Sequence, residues 1–393
     1  MTFRTRMSVL LLSTPVLAFV LIGGLMGNAS ADTQDDKIRT LRVFDDVVSL
    51  VMSNYVEEVK VDKAMEGALR GLADGLDADS AYLTPAQVAE VAAGKEPAEG
   101  DVGLELTRQY YLRVIAARDG SPAAQAGLQT GDYVRAIDGR PTRDLSVFEG
   151  VRLLRGRPGT KVVLTVIRAN AAEPHEVTLV RAPAVAPPIT SRMLKENVGY
   201  IRIPAFNADV AAQISSHVRG LRGARALVVD LRRTAEGNID HGIAAARLFV
   251  PSGTIATRAA RDEGAGETIT ARAGDGTIDL PVQVLVSAGT SGAAEVFAAA
   301  LRDNKRAELV GEHTIGRAAL QRLVKLPENR GLWLTYARYL APSGAAIHGA
   351  GLKPDVPVDE PDVEFGAERP AADPVLDAAL ERLTRASAAG EPR

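Results

Sequence analysis

The chain contains no cysteine. Disulfides, thiolate metal sites and a lipidated cysteine are thereby excluded. Histidine is scarce as well: five residues, at 175, 217, 241, 313 and 348, lie too far apart for ligand spacing, so neither a metal nor a cofactor is expected. No long block of one charge occurs. The 46 basic and 49 acidic residues leave a net charge of −3, which argues against a nucleic-acid partner. Long apolar runs are missing apart from one, Val9 to Met26. What remains is an ordinary globular composition, 46% hydrophobic and 24% charged over 393 residues, with apolar material for two or three domains.

The single apolar run follows Arg4 and Arg6 and ends in Asn28-Ala29-Ser30-Ala31. Residues 1–31 are read as a secretory signal cleaved after Ala31, with an uncleaved membrane anchor over residues 9–26 as the alternative. Either reading places the remainder outside the cytoplasm, periplasmic or secreted. Residues 32–99 show helical spacing, with Leu41, Phe44, Val47, Val48 and Val51, then Ala64 to Leu72, and Thr84-Pro85 opens a third helix. Residues 100–182 read as short alternating strands, at Val102–Leu106, Tyr111–Ala116, Tyr133–Ile137 and Val162–Arg168, parted by glycine turns. Pro183, Pro187 and Pro188 mark a linker. Residues 183–360 alternate near-continuous apolar strands, such as Ala226 to Leu231, with helices, the pattern of a buried sheet in an α/β layer. Residues 361–393 form a tail with a short amphipathic helix from Asp373 to Leu383. The fold class is therefore α/β multidomain.

The most decodable stretch runs from Val282 to Gln321. An apolar strand, Val282 to Val286, meets the small polar cluster Ser287-Ala288-Gly289-Thr290-Ser291-Gly292, and a helix follows with Val296, Phe297, Ala300 and Leu301 on one face. Such a junction aims backbone N–H groups, and any serine in the turn, at the space above the sheet edge. A second strand, Ala307 to Val310, then leads into Gly311-Glu312-His313-Thr314-Ile315-Gly316, a loop that returns toward the first.

This stretch resembles the C-terminal processing peptidases, the tail-specific serine proteases, whose members read about S-A-S-A-S-E-I, then D-x-x-R-A, then G-E-x-T-x-G-K-x-x-x-Q. Glu295, Asp303, Arg306-Ala307, Gly311-Glu312, Thr314, Gly316 and Gln321 match. Leu76 to Leu83 resembles the family's L-D-P-H-S-x-Y-L/M, with Ala78 and Asp79 in place of Pro and His, and Tyr339 to Asp355 resembles its T-P-S-G-x-x-I-x-G-x-G-x-x-P-D. Ser121-Pro122-Ala123 to Gly127-Leu128, Gly131-Asp132 and Ile137-Asp138-Gly139 resemble a PDZ domain. The resemblance implies that a peptide C-terminus adds as a strand at Gly103, Leu104, Glu105 and Leu106, just after the carboxylate loop, where Asp101 would repel the carboxylate.

Three further departures from the family pattern bear on catalysis. Gly292 stands where the resemblance puts the nucleophilic serine, and Arg317 where it puts the general-base lysine. Glycine cannot be acylated, and arginine, with a pKa above about 12, is not deprotonated in proteins. Glu236 replaces a glycine of the D-L-R-x-N-P-G-G segment beside Gly237, and its carboxylate would oppose a developing oxyanion. These residues imply a pseudopeptidase that binds polypeptide C-termini, unfolded periplasmic proteins, an active paralogue or further copies of itself. The alternative is an active endopeptidase with Ser291 as displaced nucleophile and His313 as base, although Ser291 is one residue out of register. Arg317 is expected to pair with Glu295 or Asp303.

Overall fold

The computed structural model describes residues 39, 42–94, 99–168, 173–261, 266–361, 363–365, 367 and 370–388. The expected signal over residues 1–31 and the anchor over residues 9–26 lie outside them. Among the described residues no helix is long and apolar enough to cross a membrane. The chain divides into two compact units, residues 1–69 and 70–393. The first contains α1, residues 42–54, and the start of α2, Val61–Asp74.

In the second unit, β1 (Ala81–Leu83) precedes α3 (Pro85–Ala92). Thr84 caps α3 reciprocally: its hydroxyl faces the Gln87 N–H, and the Gln87 side chain accepts from the Thr84 N–H at 2.8 Å. Just upstream, Asp77 Oδ1 accepts from the N–H groups of Asp79, at 2.9 Å, and Ser80, at 2.7 Å. That local Asx turn fixes the direction in which Asp79 points.

The β-rich region runs through β2 (Gly100–Asp101), β3 (Leu104–Gln109), β4 (Tyr111–Ala117), α4 (Pro122–Gln125), β5 (Tyr133–Ile137), β6 (Arg140–Pro141), α5 (Val147–Leu154), β7 (Lys161–Ile167), β8 (His175–Val180) and β9 (Ala182–Pro183). Its sheet has the order β3-β4-β5-β7-β8, so β3 is an edge strand. Alternation along β7 buries Val162, Leu164 and Val166, which pack with Leu106, Leu112 and Val134 in one core.

The α/β region follows: β10 (Thr190–Met193), β11 (Val198–Arg202), β12 (Ala205–Phe206), α6 (Val210–Gly220), β13 (Ala226–Asp230), β14 (Glu236–Gly237), α7 (Ile239–Ala246), β15 (Thr254–Ala260), β16 (Glu267–Thr270), β17 (Val282–Val286), α8 (Ala293–Asp303), β18 (Ala307–Gly311), β19 (Ala319–Lys325), β20 (Gly331–Leu340), β21 (Val356–Pro357) and α9 (Pro374–Ala388). The main sheet has the order β10-β11-β13-β17-β18-β21, parallel from β11 onward. Ile214, Phe249 and Phe297 cover one face, and Val375, Ala379 and Leu383 of α9 cover the other. Burial of every residue in β13 and β17 follows from cover on both faces.

Two elements extend the domain reading. The tail helix α9 completes the main core, anchored by Arg232, which bonds Asp230 at 2.7 Å and Asp373 at 2.8 Å. Strand β1, from the segment expected to be helical, pairs with β20. Ser80 adds a hydrogen bond from Thr335 N–H at 3.2 Å, so this segment carries Asp79 to the α/β region.

Candidate functional site

The site lies beyond the C-terminal ends of β13 and β17. The turn after β17 is built by its own small polar residues. Ser287 Oγ accepts from the N–H of Arg233 at 3.1 Å and of Gly289 at 3.2 Å; Thr290 accepts from Ser287 N–H at 3.0 Å and donates to the Leu231 carbonyl at 2.9 Å. These bonds deliver Gly292 to the start of α8 with φ 60° and ψ −115°. L-residues adopt that backbone only under strain, as the serine of a nucleophile elbow does. A Cβ added here would meet only the Arg317 carbonyl, at 3.8 Å, so there is space for a side chain. Gly292→Ser is therefore expected to fold with a loss of about 1–3 kcal/mol, the usual cost of one strained residue. Urea denaturation measures it, and unchanged stability would show that the turn relaxes.

Glu295, on the first turn of α8, is wholly buried. Its carboxylate accepts from the N–H groups of Gly292 at 3.0 Å, Gly316 at 2.7 Å and Arg317 at 2.8 Å, and from the Thr314 hydroxyl. Burial raises its pKa and the four donors offset part of that rise. One side chain thus clips the two facing loops together. Glu295→Ala is expected to lose at least about 3 kcal/mol, because it strands four buried donors at once. Glu295→Gln, which keeps an acceptor oxygen, should lose less in the same denaturation experiment.

Arg317 departs from expectation. Glu295 takes its backbone N–H and leaves the guanidinium free to turn elsewhere, while Asp303 accepts from the Ser343 N–H at 3.0 Å and hydroxyl at 2.6 Å. The guanidinium instead bonds Asp79, with Nε at 3.2 Å and Nη2 also in contact, and Nη1 donates to the Leu106 carbonyl at 2.9 Å. The Asp79 side chain is 7% exposed and that of Arg317 22%. Burial opposes the Arg317 charge, but Asp79 outweighs it and the pKa rises. The partners stand 238 residues apart, beyond any spacing rule. The missed signal was that Asp79 and Arg317 both occupy positions departing from the same family pattern.

Glu236 is likewise engaged. Arg118, from the β-rich region, bonds Glu236 at 2.6 Å and also contacts Asp101. The repulsion expected from Asp101 toward a peptide carboxylate, and from Glu236 toward an oxyanion, is therefore only partly offset, because one guanidinium serves two carboxylates. Gly237, beside Glu236, has φ 123°, and a Cβ there would come within 2.5 Å of Phe206 backbone, so only glycine fits the β12–β14 pairing.

Glu105 opens into the same cleft, a space of about 900 Å³ whose walls include Asp101, Arg118, Arg155, Asn207 and Glu236. Burial, reinforced by the facing Glu236, pushes its pKa up to about 7, while Arg317, Arg155 and Arg118 pull the other way. Because the folded chain holds this proton more tightly than the ordinary 4.5, Glu105 favours folding at low pH and loses that contribution as pH rises to about 7. Glu105→Gln should therefore flatten the decline in stability between those values, measured by denaturation across the pH range.

The remaining expected residues separate from this cluster. Gln321 lies on β19 and donates to Thr335 at 3.2 Å. Ser291 is buried, with its N–H on the Thr234 carbonyl at 2.9 Å. His313 Nδ1 faces the Thr314 carbonyl at 2.9 Å, and no hydrogen bond links His313 to Ser291. Among the described residues no His, Asp or Glu group is arranged to hold a metal.

Comparison with known proteins identifies the family. Residues 197–358 match Peptidase family S41 and residues 113–168 match the PDZ domain. A carboxyl-terminal-processing protease of Synechocystis sp. is 37% identical over 292 residues, covering 72% of this chain and 68% of the relative. A second, from Picosynechococcus sp., is 33% identical over 332 residues, covering 82% and 80%. The solved photosystem II D1 C-terminal processing protease superposes with a TM-score of 0.67 at 27% identity, over 79% of this chain and 86% of that one. The chain belongs to the carboxyl-terminal-processing proteases of peptidase family S41, with a PDZ domain preceding the peptidase core.

Proposed function

We propose that this member of the family is a pseudopeptidase of the periplasm or extracellular space that binds polypeptide C-termini, unfolded chains or partner proteins through its PDZ domain without cleaving them. The observation that carries the reading is the Arg317–Asp79 ion pair opposite Gly292. The nucleophile position has no side chain, and the base position holds a permanent cation fixed on a carboxylate. The supporting turn, Glu295 and the parallel sheet keep the shape of a peptidase site, which suits a chain that retains the fold for recognition. Among the described residues no hydrogen bond joins Ser291, the alternative nucleophile, to a base, and His313 faces the Thr314 carbonyl. Binding at the PDZ edge is tested by titrating apolar peptides with a free carboxylate against amidated counterparts, with a preference for the free carboxylate expected. Equal affinity for the two forms would count against C-terminal recognition.

A further inference from the structure

Three of the chain's eight tyrosines, Tyr110, Tyr111 and Tyr133, meet on the outward face of the PDZ sheet, at the β3–β4 turn and the start of β5. Alternation puts the strand residues there. Leu112, Val114 and Val134 point into the PDZ core, so their neighbours Tyr111, Arg113, Tyr133 and Arg135 point away from it. A guanidinium lies over each ring: Arg113 at 5.6 Å from the centroid of Tyr133, Arg135 at 5.2 Å from that of Tyr111 and Arg143 at 4.6 Å from that of Tyr110. Further contacts join the three pairs. Tyr110 and Tyr111 meet edge to face at 5.0 Å, and Gln109 Oε1 accepts from Arg113 and from the Tyr133 hydroxyl, both at 3.3 Å. At the turn, Tyr110 is 59% exposed with φ 70°, a backbone that a bulky residue adopts only under strain.

The charges on this face are not consumed within the fold. Among the described residues no Asp or Glu lies within ion-pairing distance of Arg113, Arg135 or Arg143. Carboxylates at the rim are largely engaged elsewhere: Asp74 pairs with Arg108 at 2.5 Å, Asp77 accepts from its own turn, and Asp144 alone stands exposed. Stacking holds each guanidinium flat on a ring and leaves N–H groups at its edge for an anion. Two observations favour a lipid surface over an acidic protein as the source of that anion. The tyrosines lie on the flat side of a sheet, and a phenol suits the boundary between acyl chains and headgroups. The apolar run Val9 to Met26, read as signal or as anchor, brings the chain to a membrane either way.

We infer that Tyr110, Tyr111 and Tyr133, with Arg113, Arg135 and Arg143, form a docking face for the phosphate headgroups of an anionic phospholipid surface. Recognition of peptides is no part of this inference. The two therefore stand or fall separately.

The test is hydrogen exchange of the full chain at residues 107–113, alone, with phosphatidylcholine vesicles, and with vesicles that also contain phosphatidylglycerol. Reading exchange at this segment separates the face from any insertion of the apolar run. Slower exchange is expected only with phosphatidylglycerol, and it should be lost near 1 M salt, where screening acts over about 3 Å. An arginine beside an anionic leaflet strengthens binding about fivefold, so Arg113→Gln, Arg135→Gln and Arg143→Gln together should weaken it on the order of a hundredfold. Tyr110→Gly guards against a merely structural effect. It relieves the positive φ and should unfold no more easily than the wild type, yet bind these vesicles more weakly. Equal protection by both kinds of vesicle, or wild-type binding by the triple variant, would overturn the docking face. Protection by soluble polyglutamate as strong as that by the vesicles would overturn it too, in favour of an acidic protein.

Discussion

Arg317→Met is expected to lower the free energy of unfolding by about 2–4 kcal/mol, more than a surface ion pair, worth about 0–1, and toward the 3–5 lost when one partner of a buried pair is removed. The intermediate value follows from the geometry: Asp79 is 7% exposed and Arg317 22%. Truncation leaves Asp79 shielded from water without its counter-ion and leaves the Leu106 carbonyl without the guanidinium. Arg317→Lys should recover part of the loss, because an ammonium keeps the charge but cannot bond Asp79 and Leu106 in the same fork. Asp79→Asn in the Arg317→Met background should lose less than the two single losses added together. Wild-type denaturation curves for all three variants would show the pair to be energetically idle.

The second large effect concerns rebuilding the peptidase. On the proposed reading, Gly292→Ser, Arg317→Lys and Glu236→Gly restore nucleophile, base and glycine, yet the triple variant is expected to show only trace turnover. Asp79 would pair with the new lysine, and a carboxylate at that distance raises an amine's pKa by about 1–3 units, which holds the base protonated. Adding Asp79→Asn should then raise turnover over the triple variant by about 10- to 1,000-fold, the same shift expressed as the fraction of neutral amine. Mass spectrometry of an unfolded polypeptide after incubation reads the result. Full activity in the triple variant would show that Asp79 does not control the base position.

Much of the fold was legible in the sequence, for stated physical reasons. The β17–turn–α8 stretch declared itself because a fully buried strand is apolar throughout and its turn residues bond one another locally, as Ser287 and Thr290 do. The PDZ strands followed from alternation, and α3 from Thr84-Pro85. Strands β15, β16 and β19 were not anticipated, because their partly exposed positions give no clean alternation and their pairing partners are distant in sequence. Strand β1 was hidden inside a helical segment, and only pairing with β20 makes it a strand. In the site, the identities of Gly292, Arg317 and Glu236 were readable, but their partners were not. A guanidinium reaches several ångströms past its own backbone, and local spacing favoured Glu295, which turned out to be saturated by four donors. Asp79 and Arg118 could enter only once folding had brought segments distant in sequence together.

The most direct test of the account is incubation of the purified chain with unfolded and C-terminally tagged polypeptides at neutral pH, with every new terminus searched for by mass spectrometry. With Gly292 at the proposed nucleophile position and Arg317 fixed on Asp79, intact substrate is expected. New termini that disappear on Ser291→Ala would contradict it, because they would make the displaced serine a working nucleophile.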